Sequence, residues 1–524
     1  MRTHLLILLT FLTLPACDAA RATTTPAKVI YDGKPLTMGQ PPFVFPDGFL
    51  FGSAIAQYQG EGTWLPGDAS ITSNWSQWED LGKCNGEHSG KASDFREQWQ
   101  SDIDQMAALG LTAFRFSLDW PRLEPKQGQF DQAEMNHVLD VLKAARAHNI
   151  KIFLTFFHWT TPVDVASPVG CDAGKQTCPV DMLGVYNPEF ATRFAAFVAW
   201  VLPQVKGYVD DYPIINEPFS VIAGSYLQGS LPPGFTLDID GARAVFANLA
   251  FAHGKAAALV RSLDDVDADG DGVAETVGCA MAAMPFYPLD PTSADDVAAA
   301  ARLNYAANDA WLDALTTGNL DLDLDGKATT TTTTPPEGNY PELKGSLDWI
   351  GLNYYGPSRA ESIPGLLAGI DALPITDVAS YNAALPHSDL GTEINPGAFL
   401  NVLSHAAMRW QLPLYITENG CADTTDVQRP HYLVDHLAVI ASAIARGIDI
   451  RGYMHWSIVD NFEWAHGQEP RLGLFRIDYT QPSFPRTKTT TAGVYGDIAA
   501  QRAISADTYT KWTAQKYVTD KTTP

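Results

Sequence analysis

The most constraining feature of this chain is a local grammar that recurs along it: an amphipathic run, a Gly or Asn stop, then a short run rich in β-formers. In residues 99–110, Trp99, Ile103, Met106 and Leu109 recur at helical spacing, Gly110 supplies a left-handed stop, and Ala113-Phe114-Arg115-Phe116-Ser117 follows. Asn149 repeats the pattern before residues 150–155, and Gly447 repeats it before residues 450–457. Helix followed by near-continuous apolar strand marks parallel strands buried on both faces. Residues 49–56, 212–215, 277–281, 348–353 and 414–417 read as further strands, which makes eight. Eight such units predict an α/β fold, a (β/α)8 TIM barrel, with its chemistry where strands end and βα loops begin.

The 524 residues would otherwise suggest several average domains, but a barrel with insertions absorbs them as one unit over residues 44–524. A net charge of −25 argues against nucleic acid as a partner, since phosphates ask for a basic stripe. With 46% hydrophobic residues and 13 Trp, the chain is too apolar to be a disordered acidic polymer. The one low-complexity insertion, Pro/Thr-rich residues 329–336, reads as an exposed loop.

At the N-terminus, Arg2 precedes an apolar run from Leu5 to Leu14, too short to span a bilayer, and no later stretch reaches the roughly 18–20 apolar residues a membrane helix needs. Residues 1–17 are expected to be a signal peptide and residues 18–43 a polar tether. Leu14-Pro15-Ala16-Cys17 resembles a bacterial lipobox, so Cys17 is the expected lipid anchor of a periplasmic or surface lipoprotein; plain secretion is the alternative. Export implies an oxidising compartment, where Cys171 and Cys178, bracketing a short polar segment, are the first candidates for a bridge. Spacing alone leaves that connectivity open and does not assign Cys84, Cys279 or Cys421.

Two carboxylates follow apolar strands directly: Glu217 in Asn216-Glu217-Pro218 and Glu418 in Thr417-Glu418-Asn419-Gly420. Either Glu alone would read as a surface residue or salt-bridge partner. Two at the mouths of different barrel strands are what glycosidic bond cleavage requires, one as acid and one as nucleophile or base.

These motifs resemble the two signatures of glycoside hydrolase family 1, the β-glucosidase-type retaining enzymes. The resemblance extends to Phe45-Pro46-Asp47-Gly48-Phe49, Tyr58-Gln59-Gly60-Glu61-Gly62, Arg115-Phe116-Ser117 with Trp120-Pro121-Arg122, His158-Trp159, Gly351-Leu352-Asn353-Tyr354-Tyr355, Trp456-Ser457 and Asp460-Asn461-Phe462-Glu463-Trp464, in family order over nearly the whole chain. It implies a single catalytic domain without a catalytic cofactor, acting on small β-glycosides or oligosaccharides. Glu217 corresponds to the general acid/base and Glu418 to the nucleophile. Arg115 and Asn353 correspond to nucleophile support, with Tyr355 donating to Glu418, and Arg115 is expected to depress the Glu418 pKa. Gln59, His158, Asn216, Tyr355, Trp456, Glu463 and Trp464 correspond to the sugar-binding set, polar edges over an indole floor.

The resemblance implies an exo-acting β-glycosidase, first of all a β-glucosidase; β-galactosidase, β-fucosidase and transglycosidase specificities stay open, and a carboxylate at Glu463 disfavours a phosphorylated sugar. From another class, the alternative is an inactive surface sugar-binding lipoprotein. Tyr212 and Ile214 depart from the Trp and Thr usual before the acid/base motif, a change expected at or near the rim and bearing on aglycone preference. The sequence does not determine the oligomeric state.

Two acidic loops lie outside the family motifs. Asp267, Asp269 and Asp271 precede Gly272, and Asp321, Asp323 and Asp325 precede Gly326. Alternate Asp side chains around a Gly turn suit a structural calcium ion, although the first loop has Gly278 where a calcium-binding loop of this kind needs its bidentate Glu, and both also read as solvated acidic turns. Both are αβ connections, expected at the barrel end opposite the catalytic mouth.

Overall fold

The computed structural model describes residues 36–67, 69–178, 184–367 and 370–517. Eight parallel strands close into a barrel in chain order: β1 (Leu50–Ala56), β2 (Ala113–Ser117), β3 (Lys151–Thr155), β4 (Asp211–Asn216), β5 (Thr276–Ala282), β6 (Ile350–Tyr354), β7 (Leu414–Asn419) and β8 (Ile450–Trp456). Each is followed by a main helix: α1 (Phe95–Ala108), α2 (Gln132–Ala147), α3 (Phe190–Val205), α4 (Ile239–Leu263), α5 (Ala294–Asn304), α6 (Pro396–Arg409), α7 (Arg429–Ala445) and α8 (Thr490–Gln501). All eight sequence-predicted strands are present, and the three stops Gly110, Asn149 and Gly447 have φ of 75°, 58° and 90°, the left-handed turn that ends each helix.

The strand pleat sorts the side chains. In β2, Phe114 and Phe116 join the core beneath the helices, while Ala113 and Arg115 face the barrel axis. Ala113, Phe153, Trp349, Tyr415 and Met454 form a separate apolar cluster that plugs the axis below the catalytic residues. Water is thus excluded from beneath the site, and a charge one pleat above the plug sits in a low-dielectric setting.

Register shifts in β4 and β7 bear on the site. Between β4 and β5 the register runs from Pro213 opposite Gly278 to Asn216 opposite Ala280, so β4 carries one extra residue. On β7, Leu352 and Asn353 face Ile416 and Glu418, which again inserts one residue, Thr417. Such bulges re-aim the side chains that follow them. Ile214 and Ile215 consequently both pack into the outer core, and Thr417 and Glu418 both reach groups inside the barrel.

Several boundaries differ from expectation. Leu36 and Met38 pack against the core and Phe43 pairs with Ile504, so a tether running to residue 43 is too long; buried Phe43 and Phe45 hold that segment to the barrel. The signal peptide and Cys17 lie outside the described residues. Cys171 and Cys178 form a disulfide, and Cys84, Cys279 and Cys421 are buried thiols outside it. Residues 329–336 form an irregular, largely exposed loop, as expected. Among the described residues no helix is long and apolar enough to cross a membrane.

Candidate active site

Glu217 follows β4 directly and has φ of 46°, an uncommon conformation for a residue with a side chain. Its amide donates to the Ala280 carbonyl of the next strand at 2.7 Å, which fixes the turn. The Glu217 carboxylate accepts from Asn353 Nδ2 at 2.9 Å and from Ser220 Oγ at 2.8 Å. Glu418, at the end of β7, accepts from the Arg115 guanidinium and from the Tyr355 hydroxyl, the latter at 2.8 Å. The second terminal nitrogen of Arg115 donates to Asn216 Oδ1 at 2.7 Å, so one buried guanidinium braces both strands that carry a carboxylate.

These contacts set the protonation order. Burial, reinforced by the charge of Glu418, pushes the Glu217 carboxyl up to about 7. Burial also raises Glu418, against the pull of Arg115 and Tyr355. The expected depression of Glu418 is therefore corrected: inside the plugged barrel, desolvation outweighs the cation. Of the two, Glu418 alone touches a cation, and that contact favours its ionised form. Two carboxyls with separated roles, one protonated near neutrality and one ionised, can serve as acid and nucleophile.

Around them lie the residues that the sequence assigned to sugar binding. Since Arg115 and Asn353 both donate to Asn216 Oδ1, Asn216 Nδ2 must face His158 Nε2, at 3.0 Å, and the imidazole proton sits on Nδ1, toward Ser117 Oγ at 2.9 Å. Burial and Arg115 push His158 well below its ordinary range, keeping it neutral. Asn216 Nδ2 retains one proton for a ligand. Gln59 Nε2 donates to Asn461 Oδ1 at 3.1 Å and to Glu463 at 3.4 Å, whereas Gln59 Oε1 is buried with no donor among the described residues. An orphaned acceptor of this kind is what a sugar hydroxyl satisfies. Glu463, hydrogen-bonded to Trp456, is pushed up to about 8 by burial and by Glu418. Trp464 stacks on Tyr58 at 5.7 Å, with Trp75 and Trp159 at 4.4 and 4.7 Å, forming an aromatic wall.

Every residue assigned to the sugar site is thus brought to one end of the barrel. Sequence reasoning did not assign Ser220, Asn461, Thr417, Thr155 or Ser117, which hold Glu217, Gln59, Asn353, Arg115 and His158 in turn. Ser220 lies three residues beyond Glu217 on one helical turn, a spacing that could have flagged it. Tyr212 is not at the rim: its hydroxyl donates to Asp264, just past the C-terminus of α4, and its ring stacks on Phe156. Ile214 faces the outer core, so neither departure reaches a ligand directly. A rim cavity of about 330 Å³ lies beside the site, lined by Trp75, Trp159, Cys178 and Tyr226 among others.

The acidic loops divide. In the first, the residues that converge are Asp210, Asp267 and Asp269; Asp271 instead pairs with Lys151 at 3.2 Å. In the second, Asp321, Asp323 and Asp325 converge as expected. Its position does not match expectation, because Arg243, in the second turn of α4, donates to the Leu322 carbonyl at 3.1 Å. A helix that follows a barrel strand begins at the catalytic end, so this loop climbs the barrel flank instead of staying at the base.

The family model for glycosyl hydrolase family 1 matches residues 42–504. The β-galactosidase of Saccharolobus solfataricus is 29% identical over 511 residues, covering 88% of this chain and 96% of the relative. A β-glucosidase of Agrobacterium sp. is 29% identical over 451 residues, covering 83% and 91%. Among solved structures, the β-glycosidase from Pyrococcus horikoshii superposes with a TM-score of 0.76 at 26% identity, covering 91% of this chain and 99% of that one.

Proposed function

Because this chain belongs to glycosyl hydrolase family 1 and is a retaining β-glycosidase that needs no cofactor, we propose that Glu418 is its nucleophile and Glu217 its acid/base. The observation that supports this division is the Arg115 guanidinium, in contact with Glu418 and not with Glu217. Glu418 attacks the anomeric carbon while Glu217 gives its proton to the departing glycosidic oxygen. The leaving group exits, and Glu217, now a carboxylate, removes a proton from water as that water attacks the same carbon and expels Glu418. Two inversions leave the β configuration. Asn216 donates to the sugar 2-hydroxyl, a bond that strengthens as oxocarbenium character develops.

The terminal sugar is a β-linked glucose in this reading, with Gln59 and Glu463 holding its hydroxyls over Trp456 and His158 orienting the Asn216 amide that meets the 2-hydroxyl. β-Galactoside activity is the second reading, favoured by the name of the Saccharolobus relative. Gln59 and Glu463 would meet the one hydroxyl by which the two sugars differ. A panel of nitrophenyl β-glycosides, with proton NMR of the first-formed anomer, tests both. An α-anomer released first would refute the mechanism, and a galactoside kcat/KM above that for the glucoside would reverse the sugar assignment.

Export and acylation at Cys17 are part of the same proposal. The lipobox-like sequence and the Cys171–Cys178 disulfide, suited to an oxidising compartment, support them. Metabolic labelling with a palmitate analogue, lost in Cys17→Ser, is the test.

A further inference from the structure

The two Asp-rich loops have different electrostatic needs. In the first, both Asp210 oxygens accept amide protons, from Ala268 and Asp269, and Asp267 accepts from Gly270, Asp271 and Gly272. Lys151 Nζ lies 2.9, 2.7 and 3.2 Å from Asp211, Asp269 and Asp271. Opposing carboxylates hold that ammonium charged, so the loop already contains a cation of its own.

In the second loop, among the described residues, no cation pairs with Asp321 or Asp323: Arg243 donates to the Leu322 carbonyl at 3.1 Å, and the one lysine contact is Lys327 on Asp325, an exposed pair at 3.0 Å. Asp321 is 3% exposed. One of its oxygens accepts from the Tyr305 hydroxyl and the Gly326 amide, each at 2.7 Å; the other, Oδ1, is buried and has no hydrogen-bond partner among the described residues. The Asp321 and Asp323 carboxyls face one another, and one oxygen from each of Asp321, Asp323 and Asp325 lies within 4.8 Å of the others. An orphaned carboxylate oxygen beside a second carboxylate is unfavourable unless a proton or a cation lies between them.

We infer that Asp321, Asp323 and Asp325 bind one hard divalent cation, calcium by the chemistry of an all-oxygen donor set, and that the Asp267 loop binds none. The bound ion satisfies Asp321 Oδ1, displaces Lys327 from Asp325 and fastens the Thr-rich insertion. Thr330 Oγ1 donates to Asp323 at 2.6 Å, and Glu337 accepts from the amides of Leu322, Asp323 and Thr330. Calcium therefore stabilises the flank of α4 without entering the reaction.

The test uses the full chain, stripped with chelator and shown metal-free by elemental analysis, then titrated with calcium chloride in a calorimeter. One calcium is expected to bind and to raise Tm by about 1–3 °C at saturation, with turnover well below Tm unchanged. Asp323→Asn should abolish both effects and Asp269→Ala should leave both intact. If Asp323→Asn proves unstable, Asp325→Asn, on an exposed side chain, tests the same loop. Terbium at the site should luminesce on tyrosine excitation, and Tyr305→Phe should dim it. Melting curves that coincide with and without calcium, binding that survives Asp323→Asn, or binding lost in Asp269→Ala would each overturn the inference.

Discussion

The Arg115 guanidinium contacts the Glu418 carboxylate inside the barrel, and among the described residues no cation touches Glu217. Two glutamates at the mouth of one barrel, Glu418 buried and Glu217 half-buried, are thereby made chemically unequal.

Glu418→Ala is expected to lower kcat at least 10⁴-fold, roughly the loss seen when a nucleophile is removed. Glu217→Ala should fall about 10²–10⁴-fold on poor leaving groups, retain glycosylation by activated aryl glycosides and be rescued in part by azide, which needs no base. The β-glycosyl azide, identified by proton NMR, is the expected product; an α-azide from Glu217→Ala would exchange the two roles.

The acid must carry its proton, so kcat/KM should fall as pH rises through about 7, the value to which burial and Glu418 push Glu217. Protonation of Glu418 should produce the opposite limb at low pH. A Glu217 carboxyl raised in the folded state favours folding below its unfolded pKa, and this contribution is lost as pH rises through about 7. Glu217→Gln should therefore melt higher than wild type above pH 7 while losing activity, as thermal melts across pH will show.

Ser220 donates to Glu217 and so favours its ionised form. Ser220→Ala should move the basic limb of the pH profile up by about half a unit to one unit. Tm should change little, since the side chain is half-buried and the substitution removes one hydrogen bond. A basic limb that stays in place would remove Ser220 from the tuning of the acid.

Glu463→Ser should reduce kcat/KM for glucosides by about 10²-fold or more, the loss expected when buried site groups are left without their sugar hydroxyls. Folding should be unharmed or improved, because burial and Glu418 already push that carboxyl up to about 8. Wild-type turnover in this variant would reassign the terminal-sugar pocket.

Arg122 is fully buried among Glu61, Asp119 and Glu134, at 3.7, 3.2 and 3.4 Å. Arg122→Ala leaves those carboxylates without that cation and should destabilise by about 3–5 kcal/mol. Chemical denaturation would detect this, and a loss below about 1 kcal/mol would show that Arg96 and His137 compensate.

The sequence by itself determined the barrel, because helix periodicity, left-handed stops and apolar strand runs are local signals; the roles expected of the residues at the strand ends came from the motifs' resemblance to the family. Gly110, Asn149 and Gly447 could be read as stops without knowing any partner. Tertiary structure alone decided how the carboxylates are aimed. The extra residues in β4 and β7 exist only as a mismatch with neighbouring strands, so no pattern within either strand reveals them. The same holds for the acidic loops, which look alike in sequence. Lys151, more than a hundred residues before the first loop, supplies that loop's cation, and burial against Tyr305 leaves an oxygen of the second loop orphaned. Charge balance at a buried site depends on which distant groups the fold brings within a few ångströms, and that distance is set by packing.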